Sequence, residues 1–215
     1  MVWYNPALGA PGSGYRYSGG GFLVAQAAAE YLAGQSFANI QQSRVLGPLG
    51  MNDSRYVLRP PDAAFEGIAA VQHDSFGVPL ERAVYPWASA GGLYASPRDY
   101  AKAMIPLMNL GQTVDGDPFL TPFGLFLMMQ DAAAGSTNYG LGIALSQSIV
   151  GEAGGSFSHN GSHSNRAYAL MQGRPDRDLG CVILANCASD ACKTVVGEVM
   201  KSFRCAYGWD TTGCL

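Results

Sequence analysis

The sequence predicts an α+β fold, with a mainly helical region, then antiparallel strands, then a C-terminal helix. The first observation is a series of segments rich in helix formers, each with capping or breaking residues at its ends. The second is a change of pattern after Asn138, where short apolar runs alternate with turn residues. We therefore assign residues 1–135 to a helical lobe and residues 136–215 to a strand lobe, both belonging to one domain.

The composition is typical of a folded domain and excludes several classes of protein. The chain has 215 residues, of which 48% are hydrophobic and 13% charged, enough to bury a sizeable core. A net charge of −3 offers no basic face for nucleic acid. No apolar run approaches the ~20 residues that a membrane span needs. The first six residues do not resemble a signal peptide.

Two helices are predicted near the start of the chain. Residues 22–32 are helix formers with apolar side chains on every side, and Gly34 ends them, which indicates a buried helix. Ser36 is a suitable N-cap for a second helix, which the following Gly-Pro pair ends. Residues 52–85 contain three prolines and predict a long irregular excursion close to a binding site.

Three further helices are predicted later in the chain. Ser96 and Thr121 are each followed by proline, the signal for a capped helix start. Asp99 favours the first turn of the helix that Ser96 begins, and Pro106 is expected to kink that helix or end it early. The predicted ranges are 97–109, 122–130 and 190–203.

The strand lobe consists of four apolar runs that predict an antiparallel meander. These runs are residues 139–150, 156–161, 166–172 and 179–186. A charged turn at 174–178 separates the last two. The polar triplet His159-Asn160-Gly161 lies on the second run, and a strand triplet that ends in glycine marks a place where a ligand or another chain approaches the backbone.

All five cysteines lie between Cys181 and Cys214, near the end of the chain. This cluster is compatible with disulfides in an oxidising compartment, and Cys205–Cys214 is the easiest loop to close. Cysteine is also a common buried residue, and Cys181 has the character of one on a strand. The odd number leaves at least one thiol unpaired within the chain. No spacing is typical of zinc ligands.

Five motifs occur in order along the chain. They are Arg16-Tyr17-Ser18-Gly19-Gly20-Gly21-Phe22, Pro48-Leu49-Gly50-Met51-Asn52-Asp53-Ser54, Ala90-Gly91-Gly92-Leu93 with Ser96-Pro97-Arg98-Asp99, Tyr139-Gly140-Leu141-Gly142, and His159-Asn160-Gly161. This series resembles the serine β-lactamase-like superfamily, which holds class C β-lactamases, penicillin-binding DD-peptidases and related serine esterases. The resemblance spans most of the chain.

The resemblance implies a serine hydrolase that forms an acyl-enzyme without metal or organic cofactor. In this superfamily a lysine one helical turn after the serine activates it, in the pattern Ser-x-x-Lys, and a tyrosine completes the proton relay. Tyr17 matches that tyrosine, and His159 would orient substrate and relay. Taken alone, Tyr17 would be read as a core aromatic and His159 as a surface histidine. The implied oxyanion- and substrate-binding positions are Gly19, Asn160, Gly161 and Ser162, the N–H of Ser162 forming half of the oxyanion hole.

Two departures from the superfamily pattern bear on function. The tyrosine motif is Tyr17-Ser18-Gly19, without the usual asparagine, which weakens the case for β-lactam chemistry and favours ester or peptide substrates. No Ser-x-x-Lys occurs, because an acidic residue stands three positions before each of the three lysines. There is no Gly-x-Ser-x-Gly elbow either. We therefore expect the nucleophile to lie on a segment upstream of Met1, and this chain to be the C-terminal portion of such an enzyme.

The expected substrate is a small molecule or a peptide, and the expected compartment is extracytoplasmic, as is usual for the superfamily. The alternative is a non-catalytic relative that binds a peptide or glycan in the same cleft. A relative that has lost catalysis should also have lost its relay residues. Because Tyr17 and His159 are both present, we favour the enzyme.

Overall fold

The computed structural model describes residues 15–56, 67–81, 87–131, 138–146, 154–163, 166–187, 189–209 and 214. Within these ranges helices come first, then an antiparallel sheet, then a final helix. The α+β prediction is therefore confirmed. The predicted boundary between residues 135 and 136 falls outside the described residues.

The helices begin where the sequence places hydroxyl side chains. They are α1 (Gly19–Ala33), α2 (Phe37–Gln41), α3 (Ala88–Gly91), α4 (Pro97–Met108), α5 (Pro122–Met128) and α6 (Asp190–Ala206). Five of them have a serine or threonine N-cap whose oxygen accepts a hydrogen bond from the N–H three residues later: Ser18, Ser36, Ser96, Thr121 and Ser189. Gly34 ends α1 in the left-handed conformation, as predicted.

Three predicted helices differ from the structure in detail. A π-helical turn, Gln42–Leu46, continues α2, and α4 runs through Pro106 to Met108 rather than ending early. The prediction that α1 is buried is wrong, since none of its residues is buried and Tyr31 is 87% exposed. The reason is that the described elements α2 and α3 contact only part of its surface.

The main sheet is an antiparallel meander with strand order β3-β4-β5-β6. Its strands are β3 (Ala144–Leu145), β4 (Phe157–His163), β5 (Ala167–Arg174) and β6 (Leu179–Ala185). The predicted strand 139–150 is thus much shorter, although residues 147–150 lie outside the described part. The predicted turn is confirmed as a 3₁₀ helix, Pro175–Arg177.

A second, two-stranded sheet pairs β1 (Arg55–Tyr56) with β2 (Leu93–Tyr94). Residues 52–85 were predicted to be irregular throughout, so β1 corrects that prediction. Pairing with a strand almost forty positions away supplies the hydrogen bonds that no local pattern signals. Residues 57–66 and 82–86 lie outside the described part.

The main core lies between α4, α5 and one face of the sheet. Its buried residues are Met104, Leu107, Met129, Ile143, Leu145, Phe157 and Met171. Phe157 is 1% exposed and lies across β5 at Gly173, where an added Cβ would come within 2.3 Å of the ring. The absence of a side chain at Gly173 is therefore what lets this ring pack against the sheet.

Buried Asp99 joins two of the sequence motifs. Its carboxylate accepts hydrogen bonds from the N–H of Asp53 at 2.7 Å, from the hydroxyl of Ser54 at 3.0 Å and from the ammonium of Lys102 at 2.9 Å. Burial opposes ionisation of Asp99, but these three partners outweigh it and lower the carboxyl pKa below its ordinary value. Asp99 therefore holds the loop before β1 on the first turn of α4.

Two disulfides stabilise the end of the chain. Cys187–Cys192 links the end of β6 to the start of α6, and Cys205–Cys214 confirms the predicted loop. Cys181 is an unpaired, half-buried thiol on β6. Across the described ranges, every helix is too short or too polar to cross a membrane.

Candidate active site

Tyr17 and His159 lie side by side although they are far apart in the sequence. Their ring centroids are 6.4 Å apart. Tyr17 comes just before Ser18, the N-cap of α1, and His159 lies in the middle of β4. Tyr17 is 66% exposed, so it is not a core aromatic. The first turn of α1 and strand β4 thus bring both predicted catalytic side chains to one surface.

A second tyrosine, Tyr139, forms the wall of this site. Its ring packs edge-on against Tyr17 at 6.2 Å and tilts against Tyr15 at 5.0 Å. Burial, together with the neighbouring Tyr15 and Tyr17 phenols, raises the pKa of Tyr139 to about 12, so it keeps its proton at neutral pH. The sequence marks Tyr139 only as the start of a motif, and its contact with Tyr17 emerges from the fold.

His159 is half-buried, and that burial lowers its pKa below the ordinary 6.5. The imidazole is therefore neutral at pH 7. A neutral ring has one N–H donor and one nitrogen acceptor, whereas an imidazolium has only donors. His159 is thus suited to hydrogen bonding with substrate or relay rather than to supplying a fixed positive charge.

The main chain of β4 has an open edge beside these side chains. β3 pairs only with Phe157 and Ser158, and the carbonyl of Ser156 accepts a hydrogen bond from Ser146 N–H on that side. Main-chain groups of alternate residues face the same edge of a strand. Asn160 and Ser162 therefore direct their N–H groups to this edge, and no described strand pairs with them there.

The other two predicted binding positions differ in their surroundings. At Gly161 an added Cβ would meet no heavy atom within 4 Å, so this position is open. At Gly19 an added Cβ would lie 3.4 Å from Cβ of Ala90 on α3. The structure therefore places Gly161 beside His159 on β4, whereas Gly19 packs against α3.

His163, at the end of β4, explains why Gly91 of the third motif has no side chain. Its ring nitrogen lies 2.9 Å from the carbonyl oxygen of Gly91, and a Cβ on Gly91 would come within 2.7 Å of that ring. This contact fixes β4 against α3. Among the residues that the structure describes, no group of three or more metal-binding side chains occurs, and His163 faces Gly91 rather than joining His159 as a pair.

Comparison with known proteins identifies the family. The sequence profile described as Beta-lactamase matches residues 4–195 of this chain. The chain belongs to the β-lactamase family. Family members share a hydrolase-type fold, and Tyr17, Tyr139 and His159 all lie within the matched residues.

Solved structures of β-lactamase-like proteins share the fold. A penicillin-binding protein from Bacillus halodurans has 20% identity and a TM-score of 0.68, over 88% of this chain and 57% of that one. The D-amino acid amidase from Ochrobactrum anthropi SV3, complexed with D-phenylalanine, has 21% identity and a TM-score of 0.63, over 88% of this chain and 62% of that one. The octameric penicillin-binding protein homologue from Pyrococcus abyssi has 20% identity and a TM-score of 0.65, over 82% and 40%.

The chain thus spans between 40% and 62% of the length of these three proteins. At about 20% identity the likeness establishes the fold and leaves the reaction to be argued from the site. The candidate site assembled by this chain consists of the exposed Tyr17 phenol, the His159 imidazole, the Tyr139 ring and the open edge of β4.

Proposed function

We propose that this chain supplies the proton-relay tyrosine and the oxyanion strand of a serine hydrolase that cleaves ester or amide bonds through an acyl-enzyme. The observation that carries the proposal is the juxtaposition of Tyr17 and His159, 6.4 Å apart, beside the open edge of β4. A proton-transfer group, a hydrogen-bonding group and an oxyanion donor at one surface are the groups that acyl transfer requires.

In the proposed reaction a serine oxygen attacks the carbonyl carbon of the substrate, and the carbonyl oxygen becomes an oxyanion. The N–H of Ser162 donates a hydrogen bond to that oxyanion. The proton that the serine gives up passes through the Tyr17 phenol to the leaving group, which departs, and the serine keeps the acyl group. Water then attacks the ester and gives up a proton, which Tyr17 passes back to the serine oxygen as the acid product leaves. His159 hydrogen-bonds the substrate and holds the relay in position.

The serine and its lysine come, in this proposal, from a Ser-x-x-Lys segment upstream of Met1. Two observations support this. The chain spans only 40–62% of the length of its structural neighbours, so a large part of their fold has no counterpart here. In addition, α1 carries an exposed apolar stripe of Val24, Ala28, Tyr31 and Leu32 at helical spacing, directly after the Tyr17 motif. The upstream segment would cover this stripe.

For the substrate we propose a short-chain ester or a small peptide amide. The motif Tyr17-Ser18-Gly19 lacks the asparagine amide that would bind a substrate amide, which makes simple esters the first substrates to assay. Ser18 is engaged as the N-cap of α1, accepting from Gly21 N–H at 3.0 Å, so it does not replace that amide. We also propose an extracytoplasmic location, which the two disulfides support.

The test is ester hydrolysis by the chain joined to, or co-expressed with, its upstream Ser-x-x-Lys segment. Tyr17→Phe should lower kcat/KM for a nitrophenyl ester by two orders of magnitude or more, the usual cost of losing a positioned proton-transfer group. Tyr207→Phe removes the same hydroxyl from an exposed position directly after α6 and should leave kcat/KM unchanged. Full activity of the Tyr17→Phe enzyme would overturn the assigned role.

A second candidate, a non-catalytic binding protein for peptides or glycans, is favoured by the open edge of β4 alone. An extended peptide adds readily to such an edge through main-chain hydrogen bonds. This candidate predicts that the chain without any upstream segment binds a peptide reversibly, with NMR shifts at the amides of Asn160 and Ser162 and no covalent product. Hydrolysis that depends on Tyr17 would decide for the enzyme.

A further inference from the structure

His163 occupies the last position of β4, directly after Ser162. Its ring nitrogen Nε2 lies 2.9 Å from the carbonyl oxygen of Gly91, the last residue of α3. A carbonyl oxygen can only accept a hydrogen bond, so Nε2 carries a proton and is the donor. The proposed hydrolytic reaction gives this histidine no task, yet its hydrogen bond joins two elements that are 72 positions apart in the chain.

The end of α3 is built to receive this ring. The helix has four residues, Ala88–Gly91, and carbonyl groups in the last turn of a helix lack partners inside it, so the carbonyl of Gly91 is available to a side chain. A Cβ added at Gly91 would come within 2.7 Å of the imidazole. The glycine therefore lets the ring approach the helix end closely enough to form the hydrogen bond.

The same short helix is also bonded to α1. The hydroxyl of Ser89 donates to the carbonyl oxygen of Phe22 at 2.9 Å, and the N–H of Ser89 donates to Oε1 of Gln26 at 3.1 Å. A Cβ added at Gly19 would lie 3.4 Å from Cβ of Ala90, so the first turn of α1 packs directly on α3. These contacts come immediately after the tyrosine motif. The helix α3 is therefore bonded both to the tyrosine motif and to the end of β4.

The end of β4 depends on this anchor because the described strands pair with it on one side only. β5 pairs with β4 from Phe157 to His163, whereas β3 pairs only with Phe157 and Ser158. Ser162 directs its N–H to the edge that β3 leaves open. Since His163 is the next residue, its hydrogen bond to Gly91 fixes that N–H with respect to α3.

We propose that His163 is a positioning residue of the active site, which sets the distance between the N–H of Ser162 and the phenol of Tyr17. It acts through α3, which holds the tyrosine motif and the oxyanion strand in one arrangement. The inference rests on the proposed function, in which Ser162 binds the oxyanion and Tyr17 relays the proton. A misplacement of about 1 Å can lower a rate on the order of a hundredfold, so this hydrogen bond can control the reaction without touching the substrate.

Steady-state hydrolysis of a nitrophenyl ester by the full chain in complex with its upstream segment tests the proposal. His163→Leu keeps an apolar side chain and removes the donor. It should lower kcat and kcat/KM by the same factor, about tenfold to a hundredfold, because the displaced N–H contacts the oxyanion of the transition state. His163→Gln should recover most of this loss, since its amide nitrogen lies as many bonds from Cβ as Nε2 of histidine and donates the same hydrogen bond.

Arg177→Ala is the matched control. Arg177 donates to the carbonyl oxygen of Gly208 at 3.0 Å, and it lies in the turn after β5, at the opposite end of that strand from His163. The variant also removes a side-chain donor to a main-chain carbonyl, and it should leave kcat unchanged. An equal loss of kcat in His163→Leu and Arg177→Ala, or no recovery in His163→Gln, would mean that His163 only stabilises the fold and would overturn the proposal.

Gly91→Ala tests the same contact from the side of α3. The added methyl group would displace the imidazole, so kcat should fall although His163 is retained. In a His163→Ala background the ring is gone, and Gly91→Ala should cause little further loss. Additive losses in the double variant would contradict the proposed contact.

Amide chemical shifts of the complex give a second readout that needs no turnover. His163→Leu should move the amide resonances of both Ser162 and Gly19, which belong to different elements, whereas Arg177→Ala should move neither. An unchanged Gly19 resonance in His163→Leu would overturn the proposal. If the wild-type complex shows no hydrolysis that depends on Tyr17, the proposed function fails, and these shifts still decide whether His163 positions β4 relative to α1.

Discussion

The helical lobe and the strand lobe differ in how far the chain covers its own apolar surface. The sheet of the strand lobe is covered by its own helix α6 and by α4 of the helical lobe, which both contact β6, and two disulfides close the end of the chain. In the helical lobe, α1 has no buried residue, and Leu32 is 84% exposed. An amphipathic surface helix would have a polar outer face, whereas the outer face of α1 is apolar.

On the proposed function, this difference marks the surface that an upstream segment would cover. The helix that carries the exposed stripe begins two residues after Tyr17, so the surface to be covered belongs to the same element as the proposed catalytic surface. The strand lobe has a smaller exposed region, at Val195 and Val199 on α6. We infer that both regions pack against the upstream segment and that α1 contributes more of the contact.

The largest expected effect follows from this uncovered surface. Leaving even ~400 Å² of apolar surface exposed forfeits roughly 10 kcal/mol, which is comparable to the whole stability of a domain. The chain without its upstream segment should therefore self-associate or remain partly molten, as measured by light scattering and thermal unfolding. Co-expression with the Ser-x-x-Lys segment should give a soluble complex.

A double variant tests whether the stripe on α1 is the surface that is covered. Val24→Lys with Leu32→Lys should make the isolated chain more soluble and should abolish the soluble complex, because charges on the stripe cannot be buried unpaired. Val114→Lys, on an exposed loop after α4, should change neither property. A monomer of the unmodified chain that unfolds sharply and reversibly would contradict the account and favour the binding protein.

An intermediate effect is expected at Asp99, which holds the loop before β1 on the first turn of α4. Asp99→Asn leaves Lys102 without its buried partner and should cost about 3 kcal/mol in the free energy of unfolding of the complex. The pKa of Asp99 is lowered in the folded state. The stability that its ionised carboxylate contributes is therefore fully present above the ordinary pKa of 3.8 and is lost as the pH falls through the lowered pKa.

Denaturant unfolding at several pH values checks both statements. The difference in the free energy of unfolding between the wild type and Asp99→Asn should become smaller below pH 3.8. Asp115→Asn, at an exposed position in the loop after α4, should lie within about 0.5 kcal/mol of the wild type. A constant difference across the whole range would mean that the carboxylate charge of Asp99 does not matter.

The smallest effect concerns His159, at the junction of the lobes. Burial lowers its pKa, so its NMR titration midpoint should lie below 6.5. Stability should rise slightly as the pH increases through the interval between that midpoint and 6.5, since the unfolded state binds the extra proton there. The upstream segment should bury His159 further and lower the midpoint again. A midpoint above 6.5 would reveal a negative charge nearby.

The sequence predicts the strand lobe better than the packing of the helical lobe. Turn residues and alternating apolar residues are local signals, so three strands, the charged turn and the Cys205–Cys214 disulfide follow from them. The exposure of α1 could not be predicted from the sequence, because an apolar helix indicates only that another segment must cover it. What covers it depends on residues elsewhere.

The candidate site follows the same division. Tyr17 and His159 could be named from motifs, and the fold brings them together. Tyr139 could not be identified as their neighbour, because its contact with Tyr17 depends on how the segment before α1 lies against the strand lobe. The buried role of Asp99 could not be predicted for a similar reason: its place in the first turn of α4 is a local signal, whereas its burial comes from the distant loop at Asp53.

The central claim is that this chain supplies the relay and the oxyanion strand but not the nucleophile. Intact-mass spectrometry after incubation with a fluorophosphonate tests it most directly, on the chain alone and on its complex with the upstream segment. We expect no label on the chain alone, and in the complex one label on the serine of the Ser-x-x-Lys segment. Stoichiometric labelling of any serine within these 215 residues would contradict the claim.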